Sequence, residues 1–151
     1  MVVVLFIVIV AGAAALILLP APQTAVAPTD GVATTTQAAS LDDLITVSSP
    51  LPHASVSSPL TVTGQARGNW YFEASAPVVL VDWDGKIIAQ GHVQAQGDWM
   101  TTDYVPFTAT LEFTAPTSSP SIPNTGTLIL KNDNPSGDPA RDKALEIPVT
   151  F

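Results

Sequence analysis

Apolar and polar residues alternate along most of the chain after residue 44, a pattern typical of strands with one buried face. The clearest case is residues 77–96, PVVLVDWDGKIIAQGHVQAQ, which predict a β-hairpin. Its first strand, residues 78–83, is apolar on both faces, and Asp84 and Gly85 are expected to be the two positive-φ residues of a tight primed turn. On the return strand, four apolar residues are expected to face the core: Ile87, Ala89, Val93 and Ala95. Because a lone hairpin is marginally stable in water, this one predicts a larger antiparallel assembly.

Further strands are predicted on both sides of the hairpin, each bounded by turn residues. Their expected positions are residues 45–49, 60–67, 70–75, 107–114, 128–130 and 145–151. Pro148 has no amide hydrogen, so the last strand is expected to run along a sheet edge or to pair on one side only at that point. Seven to eight short strands in this part of the chain predict an all-β fold, an immunoglobulin-like antiparallel β-sandwich. An up-and-down barrel is the alternative architecture.

The amino-terminal segment differs from the rest because residues 2–19 form an unbroken apolar run without a charge. As a helix this run is about 27 Å long, close to the roughly 30 Å hydrocarbon core of a bilayer. We therefore expect residues 1–20 to be a transmembrane helix, residues 21–43 a linker rich in Pro, Ala and Thr, and residues 44–151 the sandwich domain. A secretory signal removed near Ala25 to Ala27 is the alternative, although the run is longer than the usual apolar region of such signals.

Composition and charge exclude several classes of function. The chain has 13 acidic and 5 basic residues, which give a formal net charge of −8. Binding to nucleic acid is not expected, because it requires clustered lysine and arginine. The chain has no cysteine, which excludes a disulfide framework, a thiolate nucleophile and a cysteine-ligated zinc.

Side chains suited to catalysis are few. The two histidines, His53 and His92, have no serine in a nucleophile-elbow motif to act on, and His92 belongs to the polar face of its strand. Glu73 with Asp82 or Asp84 could form the carboxylate pair of a hydrolase, but nothing in the sequence fixes their separation. We therefore expect no catalytic residues and no enzymatic activity.

The segment that begins at Asn132, with Asn134, Ser136 and Gly137, resembles the start of a calcium-binding loop. Such a loop needs an acidic residue at its first position and a bidentate glutamate at its twelfth. This chain has Asn132 and Lys143 at those positions, so the composition fits a turn better. Neither a metal nor another cofactor is expected.

The tryptophans are the best candidates for contact with a glycan or a partner protein. Aromatic rings on an exposed surface stack against the apolar faces of sugars, and exposed apolar patches often mark binding sites. The candidates are Trp70, Trp83 and Trp99, of which the last two lie at the predicted ends of strands. Large aromatic side chains of sandwich domains more often fill the core, so both roles remain open.

Several short motifs follow one another in a defined order. They are SPLPHASVSSPLTVTGQARG at 49–68, WYFE at 70–73, DWDG at 82–85, GDWM at 97–100, PF at 106–107, KNDNPSG at 131–137 and IPV at 147–149. In this order they resemble the immunoglobulin-like domain of bacterial spore-germination proteins, from about residue 44 to the end of the chain. The resemblance implies an extracytoplasmic, non-enzymatic interaction module, often tethered by one amino-terminal membrane segment.

These features together predict a non-catalytic interaction or scaffold domain, held by a single-pass anchor on the outer side of a bacterial cell membrane. The expected partners are the membrane, through the N-terminal helix, and another protein of the cell envelope. A module that binds cell-wall glycan through exposed aromatic residues is the alternative. A hydrolase that uses acidic residues is a third hypothesis, and it requires two carboxylates that face each other in a cleft.

Overall fold

A computed structural model gives the fold of residues 40–151, the part of the chain that the structure describes. The expected transmembrane segment, residues 1–20, and residues 21–39 of the expected linker lie outside this part. Within residues 40–151, no helix has both the length and the apolar character needed to cross a membrane.

Residues 40–151 form seven β-strands joined by loops and three short 3-10 helices. The strands are β1 (Ile45–Ser49), β2 (Leu60–Arg67), β3 (Ser75–Asp82), β4 (Ile87–Ala95), β5 (Tyr104–Leu111), β6 (Thr125–Lys131) and β7 (Ala144–Thr150). The 3-10 helices span Leu41–Asp43, Gly68–Trp70 and Pro139–Arg141. All strand pairs are antiparallel, in the order β1-β2-β5-β4-β3-β6-β7. The all-β antiparallel fold predicted from the sequence is confirmed, with β7 at one edge as Pro148 predicted.

The sheet divides into two layers where β4 meets β5. These strands pair only through Gln94 with Thr108 and Ala95 with Phe107, whereas β2 and β5 pair along their whole length. One layer therefore contains β1, β2 and β5, and the other contains β4, β3, β6 and β7. At the opposite edge the chain after β1 runs parallel to β7, and the amide of Val56 donates to the carbonyl of Thr150 over 2.8 Å. The arrangement is consistent with an immunoglobulin-like fold and is nearly closed, like a barrel.

The core lies between the two layers and is built from the inward row of each strand. Side chains with no solvent exposure include Val62, Val78, Leu80, Val93, Leu128 and Leu130. On β2, Leu60, Val62 and Ala66 are buried, while Thr61 and Gln65 are exposed, as the two-residue period predicted. Among residues 40–151, no charged side chain is buried, and the buried polar atoms of side chains include the hydroxyl of Tyr71 and the indole N–H of Trp70, so apolar burial dominates the core.

Residues 70–75, which were predicted to form a strand, do not form one. Trp70 ends a 3-10 helix, and Phe72 and Ser75 close a tight turn through mutual backbone hydrogen bonds of 3.0 and 3.1 Å. The two residues inside this turn, Glu73 and Ala74, have φ values of 52° and 62°. The prediction was wrong because the apolar residues of this segment cover the end of the core from a loop, where no two-residue period applies.

The hairpin of β3 and β4 is confirmed, but its turn is not the predicted primed turn. Only Gly85 has a positive φ, of 79°, whereas Asp84 does not. The carboxylate of Asp82 accepts hydrogen bonds from the amides of Asp84 and Lys86, over 3.0 and 2.9 Å. An aspartate that bonds to the backbone two residues later stabilises an ordinary turn, so one left-handed residue is enough to complete the reversal.

A β-bulge changes which isoleucine of β4 faces the core. Leu80 pairs with Ala89, but the next residue, Val81, pairs with Ile87, so Ile88 is the additional residue. Ile88 packs against the core and Ile87 is 54% exposed, which corrects the expectation that Ile87 points inward. An extra residue shifts every side chain before it to the other face, because the side-chain period of a strand is two.

Tyr71 ties the loop after β2 to the core. Its side chain is buried, and its hydroxyl donates a hydrogen bond of 2.8 Å to the carbonyl of Val105. Burial raises the pKa of Tyr71 from 10.0 to about 12, because the charged phenolate is poorly solvated there.

This pKa predicts a loss of stability at alkaline pH. The tyrosine of the unfolded chain ionises near pH 10 while the folded one stays protonated, so the contribution is complete below pH 10 and is lost as the pH rises to about 12. We expect a loss of about 2–3 kcal/mol over this range, reduced in Tyr71→Phe and retained in Tyr104→Phe. Urea denaturation of the full chain at pH 8, 10 and 11 measures the first half of this loss, about 1.4 kcal/mol by pH 11. Equal pH dependence in both variants would contradict the prediction.

Candidate binding surfaces

The outward side of the four-stranded layer carries a group of apolar side chains. Val79 on β3 pairs with Ile129 on β6, and Val81 on β3 pairs with Ile87 on β4. Ile87 is 54% exposed, and the other three residues are half-buried. We name these four residues the outer apolar face. The signal of this face in the sequence is the strand predicted at residues 78–83, which is apolar on both faces; the structure leaves one of those faces partly exposed.

Polar groups border the outer apolar face along β4. A shallow depression of about 410 Å³ is lined by Pro77, Val79, Gln90, Gly91 and His92. Gln90 and His92 are both exposed and point to the same side as Val79, because Gln90 pairs with Val79 and His92 with Pro77. The histidine, which the sequence placed on a polar strand face, therefore lies where it can donate hydrogen bonds beside an apolar patch.

The structure does not bring the three candidate tryptophans together. Trp70 is 1% exposed and belongs to the core, so its ring offers no stacking surface to a glycan. Trp99 is half-buried and makes an edge-on contact with Phe72, with ring centroids 6.4 Å apart. Trp83 is 49% exposed and follows the far end of β3, a strand roughly 26 Å long at about 3.3 Å per residue. Trp83 is thus separated from the other two by the length of the domain.

Two exposed apolar side chains, Phe72 and Met100, lie beside Trp99 at one end of the domain. Phe72 is 39% exposed, and Met100, which follows Trp99, is 78% exposed. Arg67 fixes the neighbouring loop: its guanidinium lies 3.9 Å from the ring centroid of Tyr104 and donates to the carbonyl of Thr102 over 3.2 Å. This end has exposed apolar area, but fewer stacking rings than the sequence suggested.

The carboxylates proposed for a hydrolase lie apart. Glu73 stands in the turn before β3, whereas Asp82 and Asp84 lie at the end of that strand and in the turn after it. The length of β3 exceeds the roughly 5–9.5 Å that separates the two carboxyl groups of glycosidases. The structure therefore contradicts this pairing.

The loop between β6 and β7 uses its amide oxygens internally. The side-chain oxygen of Asn132 accepts from the amide of Lys143 over 2.6 Å, and that of Asn134 accepts from the hydroxyl of Ser136 over 2.6 Å. The amide nitrogen of Asn134 donates to Asp138 and Asp142 over 2.8 Å each. In the described part of the chain, no group of three histidine, aspartate or glutamate side chains converges on a common point. The amide oxygens that resembled calcium ligands hold the loop in shape instead.

The chain was compared with models of known protein families, and one of them matches. The model of the immunoglobulin-like domain of bacterial spore germination matches residues 44–137. The chain belongs to this family. The matched residues include β1 to β6 and half of the following loop, but not β7. The family match is therefore shorter than the resemblance seen in the sequence, which continues to the end of the chain. Searches among curated proteins and among solved structures gave no match.

Proposed function

We propose that this germination-type immunoglobulin-like module is a non-catalytic interaction domain that binds another protein of the bacterial cell envelope through the outer apolar face. In this proposal, residues 1–20 anchor the chain in the cell membrane, and residues 21–43 hold the domain on its outer side. The partner is a protein that covers Ile87 and the valines of β3 with apolar side chains of its own.

The exposure of Ile87 is the observation that carries this proposal. An isoleucine more than half exposed, next to three further apolar residues on the outward side of the four-stranded layer, is the kind of contiguous patch that marks interaction sites on soluble surfaces. Polar groups at the rim, Gln90 and His92, add the hydrogen-bonding border that protein interfaces usually have. The bulge at Ile88 supports the same interpretation, because bulges reorient particular side chains.

The remaining parts of the proposal rest on the sequence and on the family. The apolar run at residues 2–19 has the length of a membrane-spanning helix, which supports an anchor. The separation of Glu73 from Asp82 and Asp84 supports a non-catalytic role, because the one carboxylate pair suggested by the sequence is not assembled.

A photo-crosslinking experiment tests the proposal. A photoreactive amino acid is placed at Ile87 or, as the control, at Thr61, an exposed residue of β2 on the other layer. The full chain is irradiated in cells, and the adducts are identified by mass spectrometry. We expect an adduct with one envelope protein from position 87 and none from position 61. Adducts of equal yield at both positions, or adducts with cytoplasmic proteins only, would reject the proposal.

A charge at Ile87 provides the quantitative test. We expect Ile87→Glu to weaken capture of the crosslinked partner at least about tenfold, because the interface then buries a carboxylate without a counter-ion. Leu51→Glu is the matched control, since Leu51 is 62% exposed and lies outside the outer apolar face. If Ile87→Glu retains full capture, the face is not the interface. Retention of the full chain on cell-wall glycan instead would favour the glycan alternative.

A further inference from the structure

Part of β4 has no neighbouring strand on one of its sides. β4 pairs with β5 only through Gln94 with Thr108 and Ala95 with Phe107, and before Gln94 its strand partner in the described part of the chain is β3 alone. The two layers of the domain separate at this point. The seam between them therefore contains an open strand edge, which belongs to the four-stranded layer.

The backbone groups of two residues point out of this open edge. The amide of Ala95 donates to the carbonyl of Ala74 on the β3 side, whereas the amide of Gln96 donates to a carbonyl of β5. Successive residues of a strand direct their backbone groups to opposite sides, so those of Gln90 and His92 face away from β3. Their N–H and C=O groups are available to the backbone of another extended segment.

The composition of β4 does not protect this edge against pairing. Exposed edge strands usually carry lysine, another charged residue or proline, which prevents a second chain from adding to the sheet. β4 has the sequence IIAQGHVQA and contains no lysine, no carboxylate and no proline. The bulge at Ile88 confines the regular part of the edge to residues 89–93, which is long enough for a short extended segment.

A depression beside the edge has room for side chains of an added strand. Its volume is about 480 Å³, and its lining consists of Ser58, Pro59, Ile88, Glu112, Phe113 and Thr114. Ile88 and Phe113 are half-buried and pack against the core, so they form an apolar wall. Glu112 is the one charged residue of the lining, and it forms no ion pair within the part of the chain that the structure describes. The depression therefore favours one apolar and one basic side chain.

We propose that the open edge of β4 binds an extended segment of another protein, which adds one strand to the four-stranded layer. The backbone of this segment pairs with Gln90 and His92. An apolar side chain enters the depression, and a lysine or arginine two residues away on the same face of the segment lies beside Glu112. A second copy of this chain fits less well, because β4 has no lysine or arginine to place there.

This inference is separate from the proposed function. Backbone pairing at the edge of β4 requires none of the four side chains of the outer apolar face. Failure of the peptide experiments below would leave the proposed contact through Ile87 untouched, and failure of the contact through Ile87 would leave the edge of β4 open to a strand.

Calorimetric titration of the full chain with synthetic peptides tests the inference. The two probes, acetyl-TKTFTVT-amide and acetyl-TVTFTKT-amide, carry lysine, phenylalanine and valine on one face in the two possible orders. Each is also made with N-methyl groups on either alternate set of backbone amides. We expect saturable binding of at least one probe and at least about tenfold weaker binding after methylation of one set only, because only one set faces β4. No saturable binding, or equal binding after methylation of either set, would overturn the inference.

A proline variant tests the named backbone position. Gln90→Pro removes the N–H that points out of the edge and leaves the bonds between β4 and β3 in place, whereas Gln90→Ala changes the side chain and keeps the N–H. We expect the peptide to bind at least about fivefold more weakly to the proline variant than to the alanine variant. Circular dichroism verifies the fold of both. Equal affinity of the two variants would overturn the assignment to this edge.

Two further measurements test the chemistry of the partner. We expect Glu112→Gln to weaken binding of the peptide about threefold, whereas Glu146→Gln, the same change on an exposed residue of β7, leaves it unchanged. Equal effects of these variants would contradict the basic side chain of the partner. Sedimentation of the full chain in detergent measures self-association. A dimer that Gln90→Pro abolishes would overturn the choice of partner in favour of a second copy.

Discussion

Replacing Leu128 with alanine is expected to lower the free energy of unfolding by about 2–5 kcal/mol, a large share of the stability of a domain of this size. Leu128 has no solvent exposure and lies on β6 between Leu80 of β3 and Ile147 of β7, both of which are buried. The substitution removes three carbon atoms, one methine and two methyl groups, from the centre of the four-stranded layer. The rigid strands on both sides cannot close the resulting cavity.

Urea denaturation of the full chain, followed by tryptophan fluorescence, measures this effect. Trp70 is buried and reports the loss of the core. Leu51→Ala removes the same atoms from a side chain that is 62% exposed, and we expect a change within about 0.5 kcal/mol. A loss for Leu128→Ala no larger than that of Leu51→Ala would show that the inward row of β6 does not form the core.

The period of apolar residues was sufficient to predict the strands that bury one face. On β2 and β5, a single inward row packs against one layer, so alternation in the sequence maps directly onto burial. The same reasoning failed at Ile87 because the β-bulge at Ile88 depends on pairing with β3, which the sequence of β4 does not encode locally. It failed at residues 70–75 because two consecutive residues other than glycine, Glu73 and Ala74, adopt positive φ.

The candidate sites were less predictable than the fold, because they depend on contacts between distant segments. The outer apolar face had a visible signal, the apolar run of β3, but its meaning depended on whether another layer covers that side. The cavity between Trp70 and the loop of residues 132–143 had no such signal, since it forms only when that loop folds back to the 3-10 helix after β2. The tryptophans show the same limit: composition identified them as large and apolar, and only the topology separates Trp83 from Trp70 and Trp99.

Gly64 lies in the same row of β2 as the buried residues Leu60, Val62 and Ala66, and the reason for glycine at this position comes from packing. A Cβ atom at this position would collide with the backbone carbonyl of Thr46 on β1 and would lie 2.6 Å from the ring of Phe107 on β5. Gly64 pairs directly with Val47 and with Phe107, so the ring lies across the space that a side chain would fill. Neither neighbour can move without loss of strand pairing or of core packing.

We therefore expect Gly64→Ala to destabilise the fold by about 2–3 kcal/mol, although alanine is ordinarily the better residue in a regular strand. Gly97→Ala is the matched control, because its Cβ would approach no atom closer than 3.9 Å and its backbone needs no positive φ. The difference between the two midpoints of urea denaturation gives the effect. If Gly64→Ala is as stable as Gly97→Ala, β1 does not pack on β2 in the register described. The three-stranded layer would then have to close in another way. Destabilisation of Gly64→Ala alone would support the close packing of β1 and of the Phe107 ring around Gly64.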